Sequence, residues 1–174
     1  MQEGDRDAWI AAIEASRGLH DAWMPLRDAD WTAAAAWERT WEMSGHPHRC
    51  NLLGIADDGR VAAWINLNEI LYSVSDTATA GWSVSAPFAG RGIATEAVGA
   101  LLDVAFLAPP AGLGLHRVSC GIMPENARSL RVAEKCGFRR EGYAPKLVRI
   151  NGEWRDHVLF ARLAEEHTIT STPG

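Results

Sequence analysis

The residues with the clearest chemical meaning sit at one turn. Ala89-Gly90-Arg91-Gly92-Ile93-Ala94-Thr95 follows a predicted strand and opens the longest helical pattern in the chain. Gly90 and Gly92 permit positive φ and a close approach of backbone to a ligand. The free amides of the next helix point outward, and its dipole favours an anion there. Arg91 can add a guanidinium. Together these features make a cradle for a pyrophosphate. A Walker A loop is excluded, because the Gly-Lys-Ser/Thr ending is missing. The dinucleotide fingerprint is excluded too, because Thr95 stands where its third glycine belongs. Alone, such a turn reads equally well as a tight turn with no ligand.

Other candidates are weaker. Asn126 and Ser129, three apart at a predicted helix start, read first as a helix cap. Cys50, Cys120 and Cys136 are odd in number and far apart, with no C-x-x-C. They are expected to be buried free thiols rather than disulfide partners or zinc ligands. No neighbouring base places Cys120 or Cys136 as a nucleophile. His46, His48 and His116 lack a convincing ligand pattern, and no metal is expected.

The positioning elements follow from periodicity. Asp5 to about Arg17 reads as a helix, and Met24-Pro25 as a break. Asp30 is expected to cap a second helix running to about Met43. Five of the eight tryptophans, Trp9, Trp23, Trp31, Trp37 and Trp41, fall in this first quarter. Cys50 to Ala56 and Val61 to about Glu69 read as a hairpin around Asp57-Asp58-Gly59-Arg60. Thr79 to Ser85 is a strand that Pro87 must end. After the glycine turn come a helix to Phe106, a strand from Leu115 to Ile122, and a helix stopped by Gly137. Phe138–Ile150 and Trp154–Leu163 flank Asn151-Gly152, a type I′ turn signal. The order predicts an α/β domain with a mixed, mostly antiparallel sheet flanked by helices.

Composition narrows the classes. A chain of 174 residues, 47% hydrophobic and 22% charged, suits one globular domain. A net charge of -5 argues against nonspecific binding to nucleic acid or an anionic membrane. No apolar run reaches the roughly 18 residues of a membrane span. The acidic start, Met1 to Asp7, does not read as a signal peptide, so a cytoplasmic location is expected.

Several motifs occur in a fixed order. After the glycine turn come Thr95-Glu96-Ala97, Leu115-His116-Arg117-Val118 and Pro124-Glu125-Asn126-x-x-Ser129. Glu134-Lys135-Cys136-Gly137-Phe138, Glu141-Gly142 and Asn151-Gly152-Glu153-Trp154-Arg155-Asp156-His157 follow. From about Ala80 to Leu163 the chain resembles the Gcn5-related N-acetyltransferases (GNAT), within them the RimJ/RimL type that acetylates protein N-terminal amines. The family's coenzyme A loop, Q/R-x-x-G-x-G/A, corresponds to Ala89 through Ala94, with Ala89 in place of Gln or Arg. The resemblance implies a single GNAT domain over residues 1–166, with splayed central parallel strands and a flexible tail at 167–174. It also implies a strand before Glu3 for which this sequence has no room. The Cys50–Ala56 strand would then be an open edge able to pair with another chain, and a homodimer enters as an expectation.

The same resemblance implies the site. Acetyl-coenzyme A would run from Gly90–Thr95 toward Trp82, Ser83 and Val84, pairing with main chain as an added strand would. A backbone N–H near Val84 would stabilise the tetrahedral oxyanion. Asn126 would contact the coenzyme, and Ser129 would lie near its sulfur as the leading proton donor. Tyr143 is the second candidate acid. Glu69 is the candidate base, with an ordinary surface glutamate as its plainer reading. Asn66 and Asn68 could orient an acceptor or cap a loop. Trp31 or Trp37 could line the acceptor cleft. His157 is expected near the acceptor, with a structural role favoured over a catalytic one. The implied reaction moves acetyl from acetyl-coenzyme A to a primary amine, foremost a protein N-terminus, by direct attack in a ternary complex. The alternatives are a small amine such as a polyamine, amino acid or aminoglycoside, or a coenzyme-binding module without catalysis.

Overall fold

The computed structural model describes residues 1–24 and 30–168. Helix α1 (Arg6–Ala15) is followed by a short α2 (Arg17–His20) and a 3-10 turn at Asp21–Trp23. Helix α3 spans Ala33–Ser44. Its cap is Thr32, not Asp30: Thr32 is extended (φ -128°, ψ 154°) and its Oγ1 accepts from the Ala35 N–H at 3.0 Å. That geometry lets a side-chain oxygen reach an orphan amide of the first turn. Pro25, read as a break, lies outside the described residues.

Six strands form one sheet: β1 (Cys50–Ile55), β2 (Val61–Leu71), β3 (Thr77–Val84), β4 (Arg117–Ile122), β5 (Arg139–Ile150) and β6 (Glu153–Leu163). Their spatial order is β1-β2-β3-β4-β6-β5. Only β3 and β4 are parallel; every other neighbour pair is antiparallel. β1 forms one edge, and the described residues before it are helical or irregular, without a strand. The β5–β6 turn has Asn151 at φ 50° and Gly152 at φ 82°, as a type I′ turn requires.

Two cores flank the sheet. On one face lies α4 (Ile93–Phe106), whose Val98, Leu101, Leu102 and Ala105 recur at helical spacing and are at most 1% exposed. They pack with Ile65, Leu67, Val118 and Phe160. Helix α5 (Ala127–Lys135) shares this face through Ala133. On the other face, α1 and α3 cover the β1–β2 end. There Trp9 meets Trp37 edge-on (centroids 5.7 Å) and Trp37 stacks on Trp41 (5.8 Å). Trp37 is therefore core rather than cleft wall.

One long-range contact ties the N-terminal helices to the end of β3. Ser16 is fully buried; its Oγ donates to Ala12 O (2.6 Å) and accepts from the Ala86 N–H (2.9 Å). The chain after β6 is also anchored. His167, expected in a loose tail, is buried against Phe106 and bonds Asp103 Oδ1 at 2.6 Å. Among the described residues, no helix is long and apolar enough to cross a membrane.

Candidate active site

The sheet opens where its two parallel strands part. β3 and β4 are paired only over Thr77–Thr79 with Arg117–Ser119. Beyond them, from Ala80 and Cys120 onward, the strands diverge and frame a cleft of about 590 Å³. Ser85 N–H bonds Ala62 O across to β2 (2.9 Å), and Ala63 lies opposite Val84. Alternation along a strand then turns the main-chain groups of Trp82 and Val84 away from β2, into the cleft. Val84 O is already engaged by His20 Nε2 at 2.8 Å. The Trp82 N–H and C=O and the Val84 N–H remain for a ligand. The Trp82 ring packs toward Phe138 (6.2 Å), so it also belongs to the core.

The glycine turn forms the adjoining wall. Gly90 and Gly92 have φ of 79° and 87°, the left-handed region. A Cβ at either would meet nothing within 4 Å, so it is backbone conformation and an open approach, not crowding, that call for glycine. Gly92 is the cap residue of α4, and its carbonyl accepts from Thr95 N (2.9 Å) and Glu96 N (3.2 Å). The Ile93 and Ala94 amides have no carbonyl one turn back and face outward as orphan donors. Ala89, Gly90, Gly92, Ile93, Ala94 and Thr95 all line the cleft. Arg91 does not; its guanidinium lies over the Phe88 ring at 5.8 Å.

Helix α5 closes the opposite side. Asn126 Oδ1 accepts from Ser129 N–H at 3.1 Å, so the cap reading is correct. Both residues also line the cleft, with Ser129 one turn inside it. The same helix contributes Arg128, Arg131 and Lys135, which sequence reasoning passed over. Their spacing of three and four residues places them on one face, and none has an ion pair with a described residue. A basic face beside the orphan amides of the glycine turn suits an anionic ligand with phosphate groups.

The cleft's remaining lining differs from the expected acceptor site. It includes Leu19, His20, Trp23 and Met24 of the α2 region and His157 of β6. His20 packs edge-on against Trp64 (centroids 5.3 Å), which fixes the ring that holds Val84 O. No periodic signal marked residues 17–24, so these wall residues were missed.

Several predicted residues lie elsewhere. Glu69 sits at the other end of β2, at a bulge with φ 52°, where its Oε2 accepts from Thr79 Oγ1 at 3.1 Å. Since Ala63 faces Val84, Glu69 is six residues, about 20 Å, down the strand. The structure does not bring it to the cleft as a base. Asn66 and Asn68 bond to each other (2.8 Å) in a separate groove under α3, on the side of Arg39 and Arg49. Trp31 packs on the tryptophan cluster, with Arg17 over its ring at 5.9 Å. The Tyr143 hydroxyl donates to Asp156 Oδ2 at 2.5 Å outside the cleft, and this bond pushes its pKa up. A donor so held cannot readily protonate a thiolate in the cleft.

Cys120 is buried, while Cys50 and Cys136 are half-buried rather than buried as expected, and desolvation pushes all three thiols up. Cys120, on the cleft wall, is pushed up to about 12, chiefly by desolvation. Cys136 is pushed up to about 11 by desolvation, partly offset by Arg162. Neither is a thiolate near neutral pH, which favours direct transfer over an acyl-cysteine route.

Comparisons with known proteins agree with this geometry. Residues 1–139 match the model of the acetyltransferase (GNAT) domain. The chain is 43% identical over 108 residues to the probable N-acetyltransferase YjcK of Bacillus subtilis, covering 62% of this chain and 58% of that one. It is 28% identical over 171 residues to the ribosomal protein uS5-alanine N-acetyltransferase of Escherichia coli, covering 94% and 86%. Among solved structures, Mycobacterium smegmatis RimJ in complex with CoA-disulfide superposes with a TM-score of 0.84 at 28% identity, over 95% of this chain and 80% of that one.

Proposed function

Because this chain belongs to the acetyltransferase (GNAT) family, we propose that it transfers an acetyl group from acetyl-coenzyme A to a primary amine, foremost the N-terminal α-amine of a protein. The observation that carries this reading is continuity. The Gly90–Ala94 cradle, the basic face of α5 and the unpaired edge of β3 line a single cleft. A diphosphate would sit on the amides of Gly92, Ile93 and Ala94. Arg128, Arg131 and Lys135 would neutralise its charge and that of any further phosphate. An extended amide-bearing arm would pair with Trp82 as an added strand does. Its thioester would then reach Val84, whose N–H can donate to the oxyanion of the tetrahedral intermediate. Ser129, which lines the same cleft, would hydrogen-bond the departing sulfur.

The acceptor reading draws on two further points. The uS5-alanine N-acetyltransferase of Escherichia coli aligns over nearly the whole chain. In addition, among the described residues no Asp or Glu lines the cleft, despite the chain's net charge of -5. A polyamine needs carboxylates for its distal ammonium groups, whereas a single α-amine does not. An α-amine also titrates near 7.7–8.0, so a useful fraction is neutral at physiological pH.

Calorimetric titration of the folded protein with acetyl-coenzyme A tests the first half. Saturable one-site binding is expected, and none by a folded chain sinks the reading. Turnover with alanine-initiated peptides against spermidine, with mass-spectrometric location of the acetyl group, tests the second half. Preference for spermidine would move the protein to the small-amine class. Binding with no turnover on any amine would make it a coenzyme-binding module.

A further inference from the structure

The cleft holds a buried imidazole to which the transfer scheme above gives no task. His157 is 6% exposed, stands on β6, and lines the cleft. It lies against Gly121, on the part of β4 that has already left β3. A Cβ built on Gly121 would sit 3.6 Å from both Cβ and Cδ2 of His157. The ring is therefore seated over the opening of the sheet. Its Nδ1 is 3.1 Å from Arg155 O. A carbonyl oxygen only accepts, so the hydrogen is on Nδ1 and the neutral ring carries its lone pair on Nε2. Nε2 has no partner among the described residues.

We propose that His157 Nε2 is the proton acceptor for the attacking amine. The inference rests on the acetyl-transfer reading and deepens it by naming the base. The other candidates are already committed. Glu69 is at the far end of β2, the Cys120 thiol is held protonated by burial, and His20 Nε2 faces Val84 O. Among the described residues no carboxylate lines the cleft.

The step balances without a further reactant. The amine lone pair forms the C–N bond to the thioester carbon, and the nitrogen loses a proton to His157 Nε2. The C–S bond breaks with its electron pair leaving on sulfur. The thiolate takes up one proton from solvent, and the imidazolium returns one to solvent. The net change is one proton moved from nitrogen to sulfur. The Arg155 carbonyl, bonded to Nδ1–H, keeps the ring oriented throughout and favours the positive charge it briefly carries.

The deciding variant is His157→Asn. Its amide can still donate to Arg155 O, but it has no atom in the place of Nε2. Expected is a fall in kcat of about 100-fold or more at saturating acetyl-coenzyme A, within the usual range for general base catalysis. Coenzyme affinity and Tm should stay near wild type. His157→Ala should regain part of its turnover when imidazole is added. A purely structural His157 predicts the opposite: His157→Asn retains kcat within about threefold, and imidazole does nothing. Loss of turnover in step with loss of coenzyme binding would also overturn the proposal. If the wild-type protein neither binds nor uses acetyl-coenzyme A, the acetyl-transfer reading falls and this one with it. If wild type and His157→Asn are equally active, only the role of His157 falls.

Discussion

Replacing Gly92 separates the two reasons for a glycine at the cradle. Its φ of 87° costs any L-residue about 1–2 kcal/mol, with Asn and Asp at the lower end. A side chain there would also project into open space where a phosphate is expected. Gly92→Asn carries the strain with no charge, and Gly92→Asp adds a carboxylate. A unit charge about 5 Å from another costs about 0.8 kcal/mol at the permittivity of water and about 3 kcal/mol at an effective value near 20. Per phosphate charge, that weakens binding about 4-fold to about 160-fold. Gly59, in the β1–β2 turn at φ 81° with nothing near its Cβ, is the control. Gly59→Asp should lower stability by a similar amount and leave coenzyme affinity alone. The assay is calorimetric titration with coenzyme A at low and at 0.5 M salt, beside thermal melts. The Asp–Asn gap at Gly92 should shrink as the Debye length drops to a few ångström. Equal affinity for Gly92→Asp, Gly92→Asn and wild type would refute the cradle, whatever the melts show.

Other expectations follow from side-chain contacts. Cys120→Ala and Cys136→Ala should each keep kcat within about threefold, because thiols pushed up to about 12 and about 11 are almost wholly protonated near neutral pH. Mass spectrometry after incubation with acetyl-coenzyme A should find no acetyl-cysteine, and a stoichiometric one would overturn direct transfer. His167→Ala removes one hydrogen-bond partner, at 2.6 Å, of the buried Asp103 carboxylate and should cost about 1.5–3 kcal/mol, seen as a lower Tm, with coenzyme affinity unchanged. The hydrogen-bonded Arg117 guanidinium holds the Glu141 carboxyl below its ordinary value. The folded value being the lower, that stabilisation is present above the unfolded glutamate pKa of about 4.3 and is lost as pH falls through the folded one. Glu141→Gln should therefore cost at most about 1 kcal/mol near neutral pH for so exposed a pair, and the gap to wild type should close in acid melts.

What the sequence determined by itself is local. Gly90, Gly92, Gly137 and the Asn151-Gly152 pair announce left-handed backbone because other residues rarely adopt it, and each has positive φ. The spacing of Val98, Leu101, Leu102 and Ala105 announces a helix with one buried face, and it is found. The pairing of Asn126 with Ser129 announces a cap, and it is found. Misreadings at this level were small, such as Asp30 for Thr32, where either side chain could cap and only backbone geometry chooses.

The tertiary structure decided where the cleft falls and what faces it. The cleft exists because β3 and β4, joined through α4, stay paired for three residues and then part. On the two strands themselves, Ala80–Val84 and Cys120–Ile122, beyond the parting point, line the cleft, and the paired residues Thr77–Thr79 and Arg117–Ser119 do not. That single non-local fact leaves Glu69 far down β2 and sets Asn66 and Asn68 in another groove. It brings in His20 from a stretch with no periodic signal, His157 from the last strand, and Arg128, Arg131 and Lys135 from α5. Backbone preference is written residue by residue, but the divergence of two strands about 40 residues apart is set by packing across the whole sheet.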